Sequence, residues 1–220
     1  MIVGMCMTRS PLTIEPQTSL AAAAQLMSQH RIRRLPVVQS AGGMAHVVGI
    51  LSSTDVYRAC PPDRNPFAVS SLESLPSSKT VAQLMTPDPL TTTAEAPLED
   101  VARLMRDRKI GALPVLDEKR NLVGIITESD IFRAFVGILG DSSDGVRVTF
   151  RFREAEDVFG FLAEAIRGLT VRVDSLISYR EEHELLSVVR LSGPDTEALL
   201  DKLWKAGRHP LSVLRWQGTT

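Results

Sequence analysis

The chain has 220 residues, of which 44% are hydrophobic and 23% are charged, a balance typical of folded soluble proteins and not of disordered chains. A formal net charge of -1 and a pI near 6.4 argue against a nucleic-acid partner, because binding phosphate backbones requires an excess of lysine and arginine. The longest apolar runs fall short of the ~20 residues that cross a bilayer, so we expect no membrane association.

Cysteine usage indicates the compartment. The two cysteines, Cys6 and Cys60, lie far apart in the chain and have neither the spacing of a disulfide framework nor that of metal ligands. We therefore expect a protein of the reducing cytoplasm with no metal site.

An internal repeat dominates the first 140 residues. Residues 7–13 are echoed 78 positions later by residues 85–91. The match keeps this register through two Leu-Pro-Val triplets and then continues at an offset of 75 between residues 48–55 and 123–130. Because chance does not maintain register over such a length, the sequence predicts two copies of one structural unit.

The residue pattern predicts the same order of elements in both copies: a short strand, a helix, a β-hairpin and a second helix. The first helix of each copy is indicated by apolar residues at helical spacing, namely Leu20, Ala23, Ala24 and Met27, and Leu98, Val101, Ala102 and Met105. Short β-branched runs then flank a turn. The register changes in this turn, at residues 40–43 and 117–121, and a hairpin loop tolerates such a length change. Residues 61–78, rich in proline and serine, predict a loop between the copies.

A hydroxyl residue and an aspartate follow each hairpin in the same spacing, Ser52 with Asp55 and Thr127 with Asp130. This spacing is that of a capping box, in which the two side chains satisfy free backbone amides at the start of a helix. A carboxylate at this place also suits the vicinal hydroxyls of a ribose. One occurrence alone would favour the cap, two matched occurrences favour a ligand contact, and the two roles are compatible.

The Leu-Pro-Val triplet and the motif Gly-x-x-Ser/Thr-x-x-Asp, present in both copies, resemble the CBS-domain family. Paired CBS copies form an intramolecular pseudo-dimer called a Bateman module. The resemblance covers residues 1–140, with copies at 1–60 and 79–140 and a linker at 61–78. It implies a non-catalytic regulator that needs no cofactor and binds an adenine nucleotide (AMP, ADP, ATP or S-adenosylmethionine) as a regulatory ligand. An unidentified partner protein would read the resulting change in packing.

The resemblance also implies the ligand contacts. In each cleft the aspartate would hold the ribose, the serine or threonine would touch ribose or phosphate, and backbone ahead of the helix would contact adenine. The first cleft would use Thr13, Ile14, Leu35, Pro36, Ser52 and Asp55. The second cleft would use Thr91, Thr92, Ala112, Leu113, Pro114, Thr127 and Asp130.

The two copies differ in the residues ahead of Leu-Pro. The first copy has Arg33 and Arg34 where the second has Gly111 and Ala112. Because a guanidinium fork matches phosphate oxygens, we expect the first copy to supply an anion-binding arm and the two clefts to be unequal. The alternative is a solvated basic helix end, in which Arg31, Arg33 and Arg34 lie near a helix C-terminus and complement its dipole.

A second domain is predicted after a polar linker at residues 141–145. Apolar residues alternate at 146–152 and again at 171–177, which is the period of half-buried strands. A short helix lies between them, and a strand at 185–191, a helix from Pro194 to Gly207 and a strand at 211–216 follow. The order β-α-β-β-α-β predicts a ferredoxin-like sandwich, so the fold class of the whole chain is α/β (α+β).

This order, together with residues 159–164, resembles the ACT domain over residues 146–218. The resemblance implies an amino-acid effector, while a dimerisation platform without a ligand is an equally compatible interpretation because this architecture serves many functions. A CBS pair followed by an ACT-like domain also resembles the acetoin-utilisation regulatory proteins of bacteria. Both modules usually pair, so we expect a homodimer.

Two other classes of function have little support. The four histidines are scattered, and the chain contains neither a nucleotide-hydrolysing P-loop nor a dinucleotide-binding glycine motif. A DNA-binding regulator would need a helix-turn-helix, for which no segment remains. The sequence therefore favours a sensor over an enzyme, and a scaffold protein without a ligand remains the alternative.

Overall fold

The structure is a computed structural model that describes residues 1–41, 44–60, 67, 79–139, 145–153, 156–181 and 184–216. It divides into two compact units, Met1–Phe132 and Arg133–Thr220. The predicted linker at 61–78 lies outside the described residues except for Phe67, and the polar linker at 141–145 lies outside them except for Gly145. Within these ranges no helix combines the length and the apolar character needed to cross a membrane.

The two copies fold in the predicted order. The first contains β1 (Thr8–Arg9), α1 (Leu20–His30), β2 (Arg34–Ala41), β3 (Met44–Ser52) and α2 (Ser53–Arg58). The second contains β4 (Thr86–Pro87), β5 (Thr92–Thr93), α3 (Leu98–Arg108), β6 (Ala112–Leu116), β7 (Leu122–Thr127) and α4 (Glu128–Leu139). The first hairpin is longer than predicted because its pairing extends to Ala41 and Met44, whereas the second ends at Leu116 and Leu122. The two copies thus differ in length at the hairpin, where the register change of the repeat predicted a difference.

Helix α1 shows why the apolar stripe folds as predicted. Ser19 caps its start by accepting a hydrogen bond from the Ala22 amide at 3.2 Å. The four residues of the predicted stripe are buried, from Leu20 at 0% exposed to Met27 at 1%. The helix ends before Arg31, whose φ of 52° places it in the left-handed region. Burial of a leucine or methionine side chain contributes about 1.5–3 kcal/mol, so this stripe fixes the helix on its hairpin.

The two copies exchange their short N-terminal strands. Strand β1 pairs with β7 of the other copy, where Arg9 lies opposite Gly124. Strand β4 pairs with β3, where Pro87 lies opposite Gly49. The first unit therefore contains a sheet in the order β1-β7-β6-β5 and a second in the order β2-β3-β4. Neither copy completes its sheet without the other, so the pair folds as one body.

Backbone hydrogen bonds and burial reinforce the exchange. The Val3 amide donates to the Ala96 carbonyl at 3.0 Å, and the equivalent Val81 amide donates to the Thr18 carbonyl at 2.9 Å. Val81 is fully buried in the core of the first copy. The segment ahead of each exchanged strand is consequently part of the partner copy's structure.

Close packing at the exchanged strands explains the glycine of each motif. A Cβ on Gly49 would overlap the Sδ of Met85. A Cβ on Gly124 would lie 2.6 Å from the Sδ of Met7 and 3.0 Å from the carbonyl oxygen of Thr8. A side chain at either position would force the methionine ahead of the incoming strand to move, so glycine fits this close approach.

The second unit contains β8 (Gly145–Phe152), α5 (Val158–Ile166), β9 (Arg172–Glu181), β10 (Glu184–Ser192), α6 (Thr196–Lys205) and β11 (Ser212–Trp216). Its sheet is antiparallel throughout, in the order β11-β8-β10-β9. The alternating apolar residues of β8 are buried in one core with residues of both helices. The predicted order β-α-β-β-α-β is confirmed. Helix α6 begins at Thr196 and not at Pro194, because residues 193–195 form a turn closed by the Thr196 amide on the Gly193 carbonyl.

Replacing Gly49 by alanine is expected to lower the free energy of unfolding by about 1–3 kcal/mol, since the added methyl group must displace Met85 or the strand that carries it. Met85→Ala restores space at the same contact. The Gly49→Ala/Met85→Ala double variant should therefore lose less stability than the sum of the two single losses. Urea unfolding of the four proteins measures this coupling, and strictly additive losses would contradict the close approach.

Gly137 in α4 supplies the matched control. A Cβ there meets nothing within 4 Å, and the residue lies inside a helix. Gly137→Ala should raise stability by about 0.5–1 kcal/mol, because alanine has the higher helix propensity.

Candidate functional site

Both Ser/Thr-x-x-Asp motifs form capping boxes. The amide and hydroxyl of Ser52 donate to Oδ2 of Asp55 at 2.9 and 2.5 Å, and the Asp55 amide donates back to the Ser52 Oγ at 3.2 Å. Thr127 and Asp130 repeat this arrangement at 2.9, 2.6 and 3.3 Å. The capping interpretation is confirmed for both copies. Contact of either carboxylate with a ligand stays a prediction.

The two aspartates differ in exposure. Asp130 is 4% exposed. Asp55 is half-buried, and its Oδ1 lies 4.0 Å from Nη1 of Arg58. Because Oδ2 is occupied by the cap, Oδ1 is the oxygen through which Asp55 can also accept a hydrogen bond from another molecule.

A cavity of about 420 Å³ lies beside the first capping box. The first copy lines it with Arg34, Ile50, Ser52, Thr54 and Asp55. The second copy lines it with Thr86, Asp88, Pro89, Leu90 and the turn Lys109-Ile110-Gly111-Ala112. The volume lies in the range of small-molecule pockets, about 300–1,000 Å³. The cavity exists because β4 pairs with β3 and brings residues 86–90 next to the end of that strand.

The cavity has three kinds of chemistry. Its apolar wall, with Ile50 and Leu90, suits a flat ring. The hydroxyl of Ser52 and the carboxylate of Asp55 suit the hydroxyl groups of a sugar. Arg34 and Lys109 suit an anionic group. A nucleotide carries all three groups in one molecule.

Arg34 owes its place to its strand partner and to Gly111. In β2 it lies directly opposite Ser52. A Cβ on Gly111 would collide with the Arg34 guanidinium, so only a glycine permits this position. Its Nη2 lies 3.6 Å from Oε2 of Glu128. Burial lowers the pKa of Arg34, and the positive charge of neighbouring Arg33 lowers it further, whereas the carboxylate of Glu128 raises it. Arg34 stays protonated at neutral pH.

The side chains of Arg33 and Arg34 contact different parts of the second copy and do not form a single anion-binding arm. Nη2 of Arg33 donates to Oγ of Ser129 at 3.5 Å, within the motif of the second copy, whereas Arg34 lines the cavity beside Ser52. The alternative of a basic helix end does not describe Arg34, and it stays a prediction for Arg31 and Arg33, which follow the end of α1. Helix α1 ends at His30, three residues before Arg33, and Arg34 belongs to β2.

The other predicted contact residues lie at several places in the first unit. Ala112 lines the cavity together with Arg34, Ser52 and Asp55. Leu35 and Leu113 are fully buried in their strands. The remaining predicted residues are not among those that line the cavity: Thr13, Ile14, Arg33, Pro36, Thr91, Thr92, Pro114, Thr127 and Asp130. Of these, Ile14 joins the sheet of its own copy, where its amide donates to the Pro36 carbonyl at 3.1 Å.

Sequence reasoning missed the second copy's share of this cavity. Residues 86–90 belong to the repeated block, but the repeat does not tell which sheet a two-residue strand joins. Lys109 and Ile110 immediately precede Gly111 and Ala112, so the turn ahead of Leu-Pro-Val was the available signal.

Within the described ranges, no group of three or more histidine, cysteine, aspartate or glutamate side chains could hold a metal ion.

Comparison with known proteins identifies the family. The model of the CBS domain matches residues 3–61 and 81–137, which are the two copies of the repeat. The chain belongs to the CBS domain family. The match to this CBS pair ends within α4, at residue 137.

Three solved structures resemble the CBS pair. The CBS domain pair of protein MJ0100, in complex with 5'-methylthioadenosine and S-adenosyl-L-methionine, is 30% identical, with a TM-score of 0.51 over 62% of this chain and 97% of that one. CBSX2 of Arabidopsis thaliana in complex with AMP is 33% identical, with the same TM-score and coverage. A putative acetoin utilization protein (AcuB) from Vibrio cholerae is 30% identical, with a TM-score of 0.51 over 63% of this chain and 93% of that one.

Without any ligand, Asp55→Ala and Asp130→Ala should each lower the free energy of unfolding by about 0.5–2 kcal/mol, because each removes half of a capping box. The loss should be larger at the buried Asp130, where polar groups of Thr127 lose their acceptor. Asparagine keeps an acceptor oxygen at the same place, so Asp55→Asn and Asp130→Asn should cost less. Urea unfolding measures all four, and equal losses for alanine and asparagine at one site would rule out the cap as the cause.

Proposed function

We propose that this chain is a non-catalytic regulatory protein that senses an adenine nucleotide through its CBS pair. The observation that carries the proposal is the cavity beside Ser52, which joins a sugar-binding carboxylate, an apolar wall and two cationic side chains. Related CBS pairs support it, because MJ0100 and CBSX2 were solved with adenosine compounds.

The proposed ligand lies with its ribose at Asp55 and Ser52. Oδ1 of Asp55 accepts a ribose hydroxyl while Oδ2 continues to cap α2, so that binding does not disrupt the helix. The phosphate or another anionic group meets Arg34 and Lys109, and the adenine ring packs against Ile50 and Leu90. This orientation follows from the positions of the polar and apolar walls.

Two further sets of residues remain part of the proposal. Thr13, Ile14, Leu35 and Pro36 would contribute to the first cleft, mainly through the backbone beside β2. A second and unequal cleft would use Arg33, Thr127 and Asp130 together with Thr91, Thr92, Ala112, Leu113 and Pro114. In that cleft Arg33 would bind the anionic group of the ligand, since its guanidinium donates a hydrogen bond to the hydroxyl of Ser129 in the second copy.

Regulation by such a ligand requires a partner that reads the bound state. A ligand shifts a conformational equilibrium only by its difference in affinity for the two states. We propose that residues 1–140 form the CBS pair and residues 146–218 an ACT-like unit. The protein would be a cytoplasmic homodimer. It would act on an unidentified partner protein, as acetoin-utilisation regulators do. The antiparallel β-α-β-β-α-β unit suits either a dimerisation platform or an amino-acid effector site.

A thermal-shift screen with AMP, ADP, ATP, S-adenosylmethionine, adenosine and amino acids tests the proposal. A ligand at ~100 times its dissociation constant stabilises the folded state by about 2.7 kcal/mol, so at least one adenosine compound should raise the melting temperature. Asp55→Asn should abolish most of the shift while it lowers the ligand-free melting temperature less than Asp55→Ala does.

Asp130→Asn is the matched control, because it changes the equivalent aspartate away from the cavity. It should leave the response of the first cleft intact. No shift with any adenine compound at millimolar concentration would refute nucleotide sensing, and a shift with an amino acid alone would favour the effector function of the second unit.

A further inference from the structure

We propose that Glu128 is an internal competitor that sets the charge preference of the cavity: it pairs with Arg34 until an anionic group of a ligand replaces it. The inference rests on the proposed function and specifies the selectivity of the same cavity. It predicts that ligands with a phosphate or carboxylate must displace Glu128, whereas uncharged nucleosides need not.

The geometry places the competitor at the edge of the cavity. Oε2 of Glu128 lies 3.6 Å from Nη2 of Arg34, which is an ion pair without a short hydrogen bond. Gly111 makes the contact possible, since a Cβ there would collide with the Arg34 guanidinium and lie 2.8 Å from Oε2 of Glu128. The Arg34 side chain is 24% exposed and that of Glu128 is 59% exposed. Glu128 can therefore move into solvent, whereas Arg34 stays at the cavity.

The repeat shows that this pair is not a requirement of the fold. In the offsets of the repeat, Arg34 corresponds to Ala112 and Glu128 corresponds to Ser53. These two uncharged residues occupy the same strand and helix positions in the other half of the pair. The fold therefore forms without an ion pair at the corresponding positions of the other half.

Competition favours the ligand for a physical reason. Glu128 offers one oxygen at 3.6 Å, and because it is well exposed, water screens the pair. A phosphate can present two oxygens to the guanidinium fork at hydrogen-bond distance. Arg34 has already lost part of its hydration through burial, which strengthens its interaction with a closely bound anion. A phosphate group is therefore able to displace the Glu128 carboxylate.

Isothermal titration calorimetry with AMP and with adenosine tests the competition. Glu128→Gln removes the competing charge and retains the size of the side chain. The affinity for AMP should rise about two- to five-fold, the range of a solvent-exposed ion pair, and the affinity for adenosine should not change. In an Arg34→Met background the same substitution should have no effect on AMP affinity, because the group for which Glu128 competes is gone.

Asp88→Asn is the matched control for general repulsion between the protein and the AMP phosphate. Asp88 lines the same cavity, while the carboxylate paired with Arg34 is that of Glu128. Any gain from Asp88→Asn should persist in the Arg34→Met background, since repulsion does not require Arg34.

Three results would overturn the proposal: an unchanged AMP affinity in Glu128→Gln, an equal gain for adenosine, or a gain that persists without Arg34. If the wild-type protein binds AMP and one of these occurs, the inference fails and nucleotide sensing stands. If the wild-type protein binds neither compound, the inference fails, and nucleotide sensing fails with it only if ADP, ATP and S-adenosylmethionine also give no thermal shift.

Discussion

The exchange of two-residue strands between the copies is the contact on which the first unit depends. Strand β1 completes the sheet of the second copy, and β4 completes the sheet of the first. Each exchange brings a glycine of the receiving strand close to the methionine ahead of the incoming strand, so that a larger residue would displace the methionine. The glycine that begins each repeated motif is thus explained by packing, before any ligand is considered. The same contact prevents either copy from existing as a complete domain.

The cavity follows from this exchange. Residues 86–90 reach Ser52 only because β4 lies on β3, and the turn ahead of β6 supplies the remaining wall. The two halves of the scaffold are alike in backbone register and differ in side chains. Arg34 occupies the position at which the other half has Ala112, and Gly111 provides the space it needs. The two halves therefore differ here in a few side chains on an otherwise repeated backbone.

Asp55 both caps a helix and lines the cavity. Oδ2 accepts two hydrogen bonds from Ser52 and caps α2, while the half-buried carboxylate lines the cavity. Its equivalent Asp130 makes the same cap and is almost fully buried. The two carboxylates thus have the same local hydrogen bonds but differ in their exposure to solvent. The difference arises from the elements packed around each cap and not from the motif.

The sequence alone determined the repeat, the order of elements in both units, the helix stripe of α1 and both capping boxes. These features depend on periodicity and on residues a few positions apart, so a linear pattern contains them. Only the tertiary structure decided that the copies exchange strands, that Arg33 and Arg34 diverge, and that Thr86, Asp88, Pro89, Leu90 and Lys109 line the cavity. A two-residue strand has no periodicity from which its partner can be predicted, and a long arginine side chain takes the direction that its distant neighbours leave open. Ser129, Gly111 and Glu128, which all belong to the second copy, set those directions.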